Sequence, residues 1–399
     1  MRDKQVYLDN NATTMCAPEV TEAMQPYWYG AYGNPSSMHS FGGDVRRDVD
    51  RAREQVAALL GARPSEIVFT SGGSEGDNQA IRGTLEALAG RKRHVITTRV
   101  EHPAVRGTCH YLQKQGFRLT ELPVDGDGAL DLDQLAQAIT PDTAIVSIMW
   151  ANNETGVIFP IEEIARICKS RGVVLHTDAV QAAGKIPIDV SRVPVDLLSI
   201  SGHKLHGPKG IGALYARKGT KLVPLIIGGH QEGGKRAGTE NVTGIVGMGA
   251  ACGMARRYLD EEFGFVRKLR NRLQEGVLRG CKGARINGKN RLPNTLNVSF
   301  EFVEGEAILL LLDELGVSAS SGSACASGSL EPSHVMRAMG VPFTAAHGSI
   351  RFSLSRYNTE EEIDYVVEHM PKIIERLRQI SPFVGGREWH GTPLPDHSH

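Results

Sequence analysis

Through the first 250 residues, short apolar runs alternate with stretches of helical periodicity, and this alternation narrows the possible folds most. Ser65–Thr70 reads as a strand and Glu75–Leu88 as a helix. His94–Thr98 is a strand, and Ala144–Met149 is another. A turn and the helix Ile161–Ser170 follow. Val173–Asp178 and the run beginning at Leu197 continue the pattern, and Gly210–Tyr215 adds a further strand after a Gly/Pro turn. Near-continuous apolar strands between amphipathic helices predict a mostly parallel sheet covered on both faces. From about Gly247 to Gly280 the pattern becomes one long helical stretch joining two domains. Shorter strands at Thr295–Phe300 and Ser349–Ser353, mixed with helices, predict a smaller α+β domain. The expected division is 15–255 for the large domain, 1–14 with 256–380 for the small one, and a flexible tail at 381–399.

A chain of 399 residues has room for two cores. Lys+Arg and Asp+Glu are balanced at 45 each, and no basic stretch is interleaved with aromatics. Neither nucleic acid nor a membrane surface is an expected partner. The opening MRDKQVYLDNNATT has no apolar signal core, and no run approaches transmembrane length. The cysteines at 16, 109, 168, 252, 281 and 325 form no CxxC pair, so no metal site is expected and a reducing cytoplasm is. His397 and His399 read as part of a frayed terminus.

Within Asp196–Lys209 (DLLSISGHKLHGPK) an apolar strand stops at Ser201-Gly202, and His203-Lys204 follows at once. A lysine at the mouth of a strand, beside a hydroxyl and an imidazole, can condense with an aldehyde cofactor. Thr70–Glu75 (TSGGSE) lies between a strand and a helix, where free N–H groups favour an anion and glycines let it approach. Its spacing fits neither GxxxxGK[ST] nor GxGxxG, which leaves a single-phosphate site or an ordinary capped turn. Asp178 ends a strand, with Gln181 three residues on. A buried carboxylate there needs a positive partner, such as a protonated pyridine nitrogen, unless it only caps the next helix.

His102 precedes Pro103, so a helix is expected to start just after it. Its imidazole can stack on a flat ring and shuttle a proton, or be a plain loop histidine. Asn153, in the strand-end turn ANNETG, can hydrogen-bond a ring oxygen or simply serve the turn. In Ile350–Leu354 the period of two puts Arg351 and Ser353 opposite the apolar face. There a guanidinium fork can grip an α-carboxylate, or form a surface salt bridge. The segment 318–334 (SASSGSACASGSLEPSH) is small, polar and without periodicity. Cys325 at its middle suits a mobile arm carrying a thiol.

With these residues assembled, the chain resembles the pyridoxal-phosphate cysteine desulfurases of the NifS/IscS group, from Tyr7 to about Tyr357. The segments that carry the likeness are SGGSEGDN, EHPAV, ANNETG, HTDAVQ, SGHKLHGPKG, GGHQEGGKRAGTEN, SSGSACASGSLEPSHV and GSIRFSLS. Two of these loops look closer to the nitrogenase-associated NifS branch. The resemblance implies a fold-type I transferase that turns L-cysteine into L-alanine and feeds sulfur to iron–sulfur cluster assembly. It implies that Lys204 holds pyridoxal 5'-phosphate as an aldimine and moves protons, and that Asp178 pairs with the pyridine nitrogen. His102 would stack on the ring, with Gln181 and Asn153 near the ring oxygen. Ser74, Ser201, His203 and the Gly73 amide would hold the phosphate, and Thr239 would reach that of the opposite subunit in a homodimer. Arg351 would bind the substrate carboxylate, with Asn153 beside it, and Cys325 would take the sulfur as a persulfide. The implied acceptor is a NifU- or IscU-like scaffold. Gly233 and Lys235 depart from the pattern, standing where arginines are frequent. A selenocysteine lyase, an aminotransferase of the same fold and a catalytically silent scaffold are the alternatives.

Overall fold

Seven strands make the central sheet of the computed structural model, which describes residues 5–88, 90–321 and 332–381. Their order across the sheet is Ile67–Thr70, Gly212–Ala216, Leu197–Ser201, Val174–Asp178, Thr143–Ser147, His94–Thr98 and Arg118–Leu122. Gly212–Ala216 runs antiparallel to both its neighbours, and the remaining pairings are parallel. Apart from Val174, the central strands are buried along their whole length, which explains their near-continuous apolar runs. Arg118–Leu122, at the edge, is partly exposed and polar, and its sequence carries no strand signal.

A second sheet, in the order Ser349–Ser353, Thr295–Phe300, Ala284–Ile286, has its own core of Leu296, Val298, Phe300, Ile350 and Phe352. Val6 and Leu8 join that core, because Val6–Tyr7 pairs in parallel with Val317–Ser318. The 39-residue helix Val242–Gly280 connects the two units. Ile245, Met248, Ala251 and Cys252 pack under the large sheet, whereas Val266, Leu269, Leu273 and Val277 pack under the small one. Val335, Met336 and Met339 return to the large core.

Several boundaries differ from the sequence expectation for identifiable reasons. Pro64 opens a short 3-10 turn over Pro64–Glu66, so the first strand starts at Ile67 instead of Ser65. The helix after it begins at Gly73. A 21-residue helix, Ser40–Leu60, has no apolar run to announce it. Its buried stripe of Val45, Val49, Ala52 and Val56 is spaced three and four apart in a charged background. Among the described residues, no helix is long and apolar enough to cross a membrane.

Candidate active site

The antiparallel Gly212 strand sets the geometry. In the ladder Gly212 is paired with Thr70 on one side and Ser201 on the other. The turns after those two strands, Ser71-Gly72-Gly73 and Ser201-Gly202-His203, are thereby brought to one edge of the sheet. A Cβ on Gly212 would lie 2.7 Å from Gly72 Cα, so only glycine lets the first turn cross here. A Cβ on Gly73 would lie 2.6 Å from Val180, in the turn that follows Asp178. Gly73 opens the 15-residue helix Gly73–Ala87, whose first N–H groups and dipole favour an anion. Ser74 is exposed at that helix start, and Ser201 is buried.

One strand further in, Asp178 is in register with Ser199. Asp178 ends its strand and Lys204 follows the neighbouring one, so the two come to adjacent carboxyl ends, where open sheets bind ligands. Asp178 is 7% exposed. Its Oδ1 accepts from the Val180 amide at 2.9 Å. Burial raises its pKa, while His102, the Val180 amide and Lys204 pull it back. His102 caps the helix Pro103–Lys114, with Pro103 at the first helical position. Its Nδ1 accepts from the Ala104 amide at 3.2 Å, which puts the proton of the neutral ring on Nε2. Burial lowers the His102 pKa, opposed by Asp178. Asp77, from the helix above, completes a group in which one atom each of the buried Asp77 and Asp178 and the half-buried His102 lie within 4.8 Å of one another. Burial, with Asp178 opposite, holds the Asp77 carboxyl well above the usual range. Burial likewise pushes Glu101 up to about 8.

The Lys204 ammonium donates to the carbonyls of Asn11 and Ala12, at 2.6 Å each. Gln181 Nε2 donates to the same Asn11 carbonyl at 2.9 Å. His203 Nδ1 lies 3.2 Å from the Thr13 hydroxyl, and burial, with Lys204 adjacent, pushes its pKa down to about 4. The segment Asn11–Thr13 thus closes one wall. Asn11 has no mark in the sequence for this contact, because a backbone carbonyl leaves no residue-type signal.

Arg351 reaches in from the small sheet and is 5% exposed. One Nη donates to Asp9 at 2.8 Å and the other to the Asn153 carbonyl at 3.0 Å. Asn153 therefore contributes its backbone here. The strand of Arg351 also pairs, through backbone bonds of 2.7 and 3.2 Å, with Ser320. Across the site Ser333 donates to the Glu154 carboxyl, and a ring nitrogen of His334 lies 3.0 Å from the Glu101 carbonyl. Cys325 lies outside the described residues, but the described chain on either side of its segment is fastened beside Arg351 and beside the Asn153 turn. Thr239 is exposed and lines a separate cavity of about 280 Å³ with Thr70, Ser71, Arg236 and Asn241. It is not part of the Lys204–Asp178 group.

Asp9, Asp77, Glu154 and Lys185 carry no motif that marks them in the sequence. Asp9 is the most legible of them, because an arginine taken off an apolar face needs an anionic partner.

Residues 6–366 match the family model of the class-V aminotransferases. A cysteine desulfurase of Trichormus azollae is 59% identical over 380 residues, covering 95% of each chain. The cysteine desulfurase NifS of Azotobacter vinelandii is 55% identical over 384 residues, covering 96% of this chain and 95% of that one. A solved NifS-like protein superposes with a TM-score of 0.89 at 43% identity, covering 94% of this chain and all of its own.

Proposed function

From the premise that this chain belongs to the pyridoxal-phosphate-dependent cysteine desulfurases of the NifS/IscS family and converts cysteine by their chemistry, we propose which residues do the work. The carrying observation is that Lys204 and Asp178 stand at adjacent strand ends in one electrostatically coupled site, with the Arg351 guanidinium at its rim. The cofactor suits the residues present. A buried carboxyl with raised proton affinity suits a protonated pyridine nitrogen, and Gly73 at a helix start, with Ser74, Ser201 and His203, suits a phosphate. When bound, the cofactor supplies an aldehyde for amines and a ring that stores electrons.

Lys204 would hold the cofactor covalently and then serve as the proton carrier at the substrate α-carbon. Asp178 would stabilise positive charge on the cofactor's ring nitrogen. His102 would contact the ring, and Gln181 and Asn153 would serve its ring oxygen. Arg351 takes the substrate carboxylate, exchanging Asp9 and the Asn153 carbonyl for it. The Cys325 thiolate forms an S–S bond to the substrate sulfur as the Cβ–S bond breaks. The electron pair of that bond returns to the carbon skeleton, which takes up a proton and leaves as alanine. The persulfide then passes to a thiol acceptor on a NifU- or IscU-like scaffold. The NifS-like wording of the Thr239 and Cys325 loops supports duty in nitrogenase maturation, and scattered cysteines support a reducing cytoplasm. Thr239, outside its own chain's Lys204 group, supports a homodimer in which it reaches the partner's phosphate.

Incubation of the purified protein with cysteine and a reductant is expected to release sulfide and alanine in equal amounts. A keto acid in place of alanine, with no sulfide, would instead indicate amino-group transfer and overturn the reading. The phosphate edge has its own test. Gly212→Ala puts a methyl group against the Gly72 backbone, and overpacking of this kind costs about 1–3 kcal/mol. Affinity for pyridoxal phosphate should therefore fall about tenfold in equilibrium dialysis, with the far-ultraviolet circular dichroism unchanged.

A further inference from the structure

Behind Lys204 is a cavity of about 40 Å³, large enough for water, whose lining includes Lys185, Lys204, Glu262, His206 and Arg356. Lys185 donates from Nζ to Gln181 Oε1 at 2.8 Å. A lysine ammonium can only donate and a backbone carbonyl can only accept. The two neighbours of the Gln181 amide therefore dictate its orientation, with Oε1 toward Lys185 and Nε2 toward the Asn11 carbonyl. That carbonyl is also an acceptor for Lys204. A continuous hydrogen-bonded chain thus links Lys185, the Gln181 amide and the Lys204 amine, with the Asn11 carbonyl accepting from both the amide and Lys204.

We propose that Lys185 is a positioning residue of the reaction, one that fixes the facing of the Gln181 amide and sets its cationic charge behind the amine of Lys204. The inference rests on the role given above to Lys204 and Gln181 and extends it to a residue bonded to Gln181. The charged and titratable groups facing Lys185 are Lys204, Arg351 and Glu262, with His203 and His206 near it and Arg356 paired to Glu262 at 2.5 Å. Burial, with Lys204 and Arg351 facing it, pushes its pKa down to about 7, so its charge is present below that pH and fades above it.

Removing a like charge raises the proton affinity of a neighbouring nitrogen. In Lys185→Met the absorbance titration of the covalent Lys204–cofactor link is expected to move up by about half a unit. Without a donor on Oε1 the Asn11 carbonyl alone orients the amide, so its position loosens and kcat is expected to fall about tenfold with KM for cysteine little changed. Lys185→Arg keeps the charge and a donor and should return the titration toward wild type, and it carries the test if the Met variant binds no cofactor. Wild-type values in both the titration and kcat for Lys185→Met would overturn the proposal. Equal behaviour of the Arg and Met variants would also overturn it, by reducing the residue to packing. The titration needs no turnover, so it reads this inference even if the protein released no sulfide, an outcome that would count against the proposed function instead.

Discussion

Lys204→Ala should yield a folded protein that has lost the yellow absorbance of the covalent link and at least about 10² to 10⁴ of its kcat, the usual span for a positioned acid–base group. The loss has two sources in one side chain. Lys204 is the amine next to the Asp178 pocket, and it is the candidate proton carrier. The carbonyls of Asn11 and Ala12 hold it at 2.6 Å, in a position to receive it back each time it is released. Added alkylamines would replace the base but not the tether, so partial recovery of turnover is the expected signature. Absorbance after dialysis and rescue by amine concentration are the measurements. A variant that keeps the covalent absorbance would place the link on another lysine and remove the basis of the site.

Cys325→Ala should leave that absorbance intact while sulfide and alanine release both fall by about 10⁴-fold or more. Among the described residues, no thiol stands ready to replace it. Cys109, Cys168, Cys252 and Cys281 are buried, and burial pushes their pKa values up to about 12, or about 11 for Cys281. At neutral pH these thiols are protonated and poor nucleophiles. Cys16 is half-buried just before the helix Pro18–Met24, where it accepts from Thr21. Mass spectrometry of the wild type after brief exposure to cysteine should find 32 Da on the peptide carrying Cys325. Finding it elsewhere would reassign the sulfur acceptor.

What the sequence disclosed followed from periodicity and residue type. The strands His94–Thr98, Thr295–Phe300 and Ser349–Ser353 and the helix Ile161–Ser170 stand where their patterns put them. The period of two in Ile350–Leu354 turned Arg351 away from the apolar side, and in the fold Ile350, Phe352 and Leu354 fill the small core. His102 precedes its helix because proline follows it. Hidden from the sequence were features that depend on long-range pairing. The reversed direction of Gly212–Ala216 is set by its two neighbours. The edge strand Arg118–Leu122 looks polar because it is exposed. Asn11 and Ala12 act through carbonyls, and Lys185 acts through a glutamine, so neither has a side-chain pattern that distinguishes it from an ordinary turn.

The segment from Asp9 to Thr14 has a consequence for how the chain is made. Asn10 bonds the carbonyl of Ser353, and Arg351 bonds Asp9. The segment near residue 10 and the strand Ser349–Ser353 are therefore both needed before the amine at 204 has its surroundings. A nascent chain still on the ribosome, with residue 353 unsynthesised or inside the exit tunnel, cannot yet present the finished pocket. The surroundings of Lys204 are thus completed only when translation is nearly over, and changes to residues 9–14 reach that lysine through the Asn11 and Ala12 carbonyls.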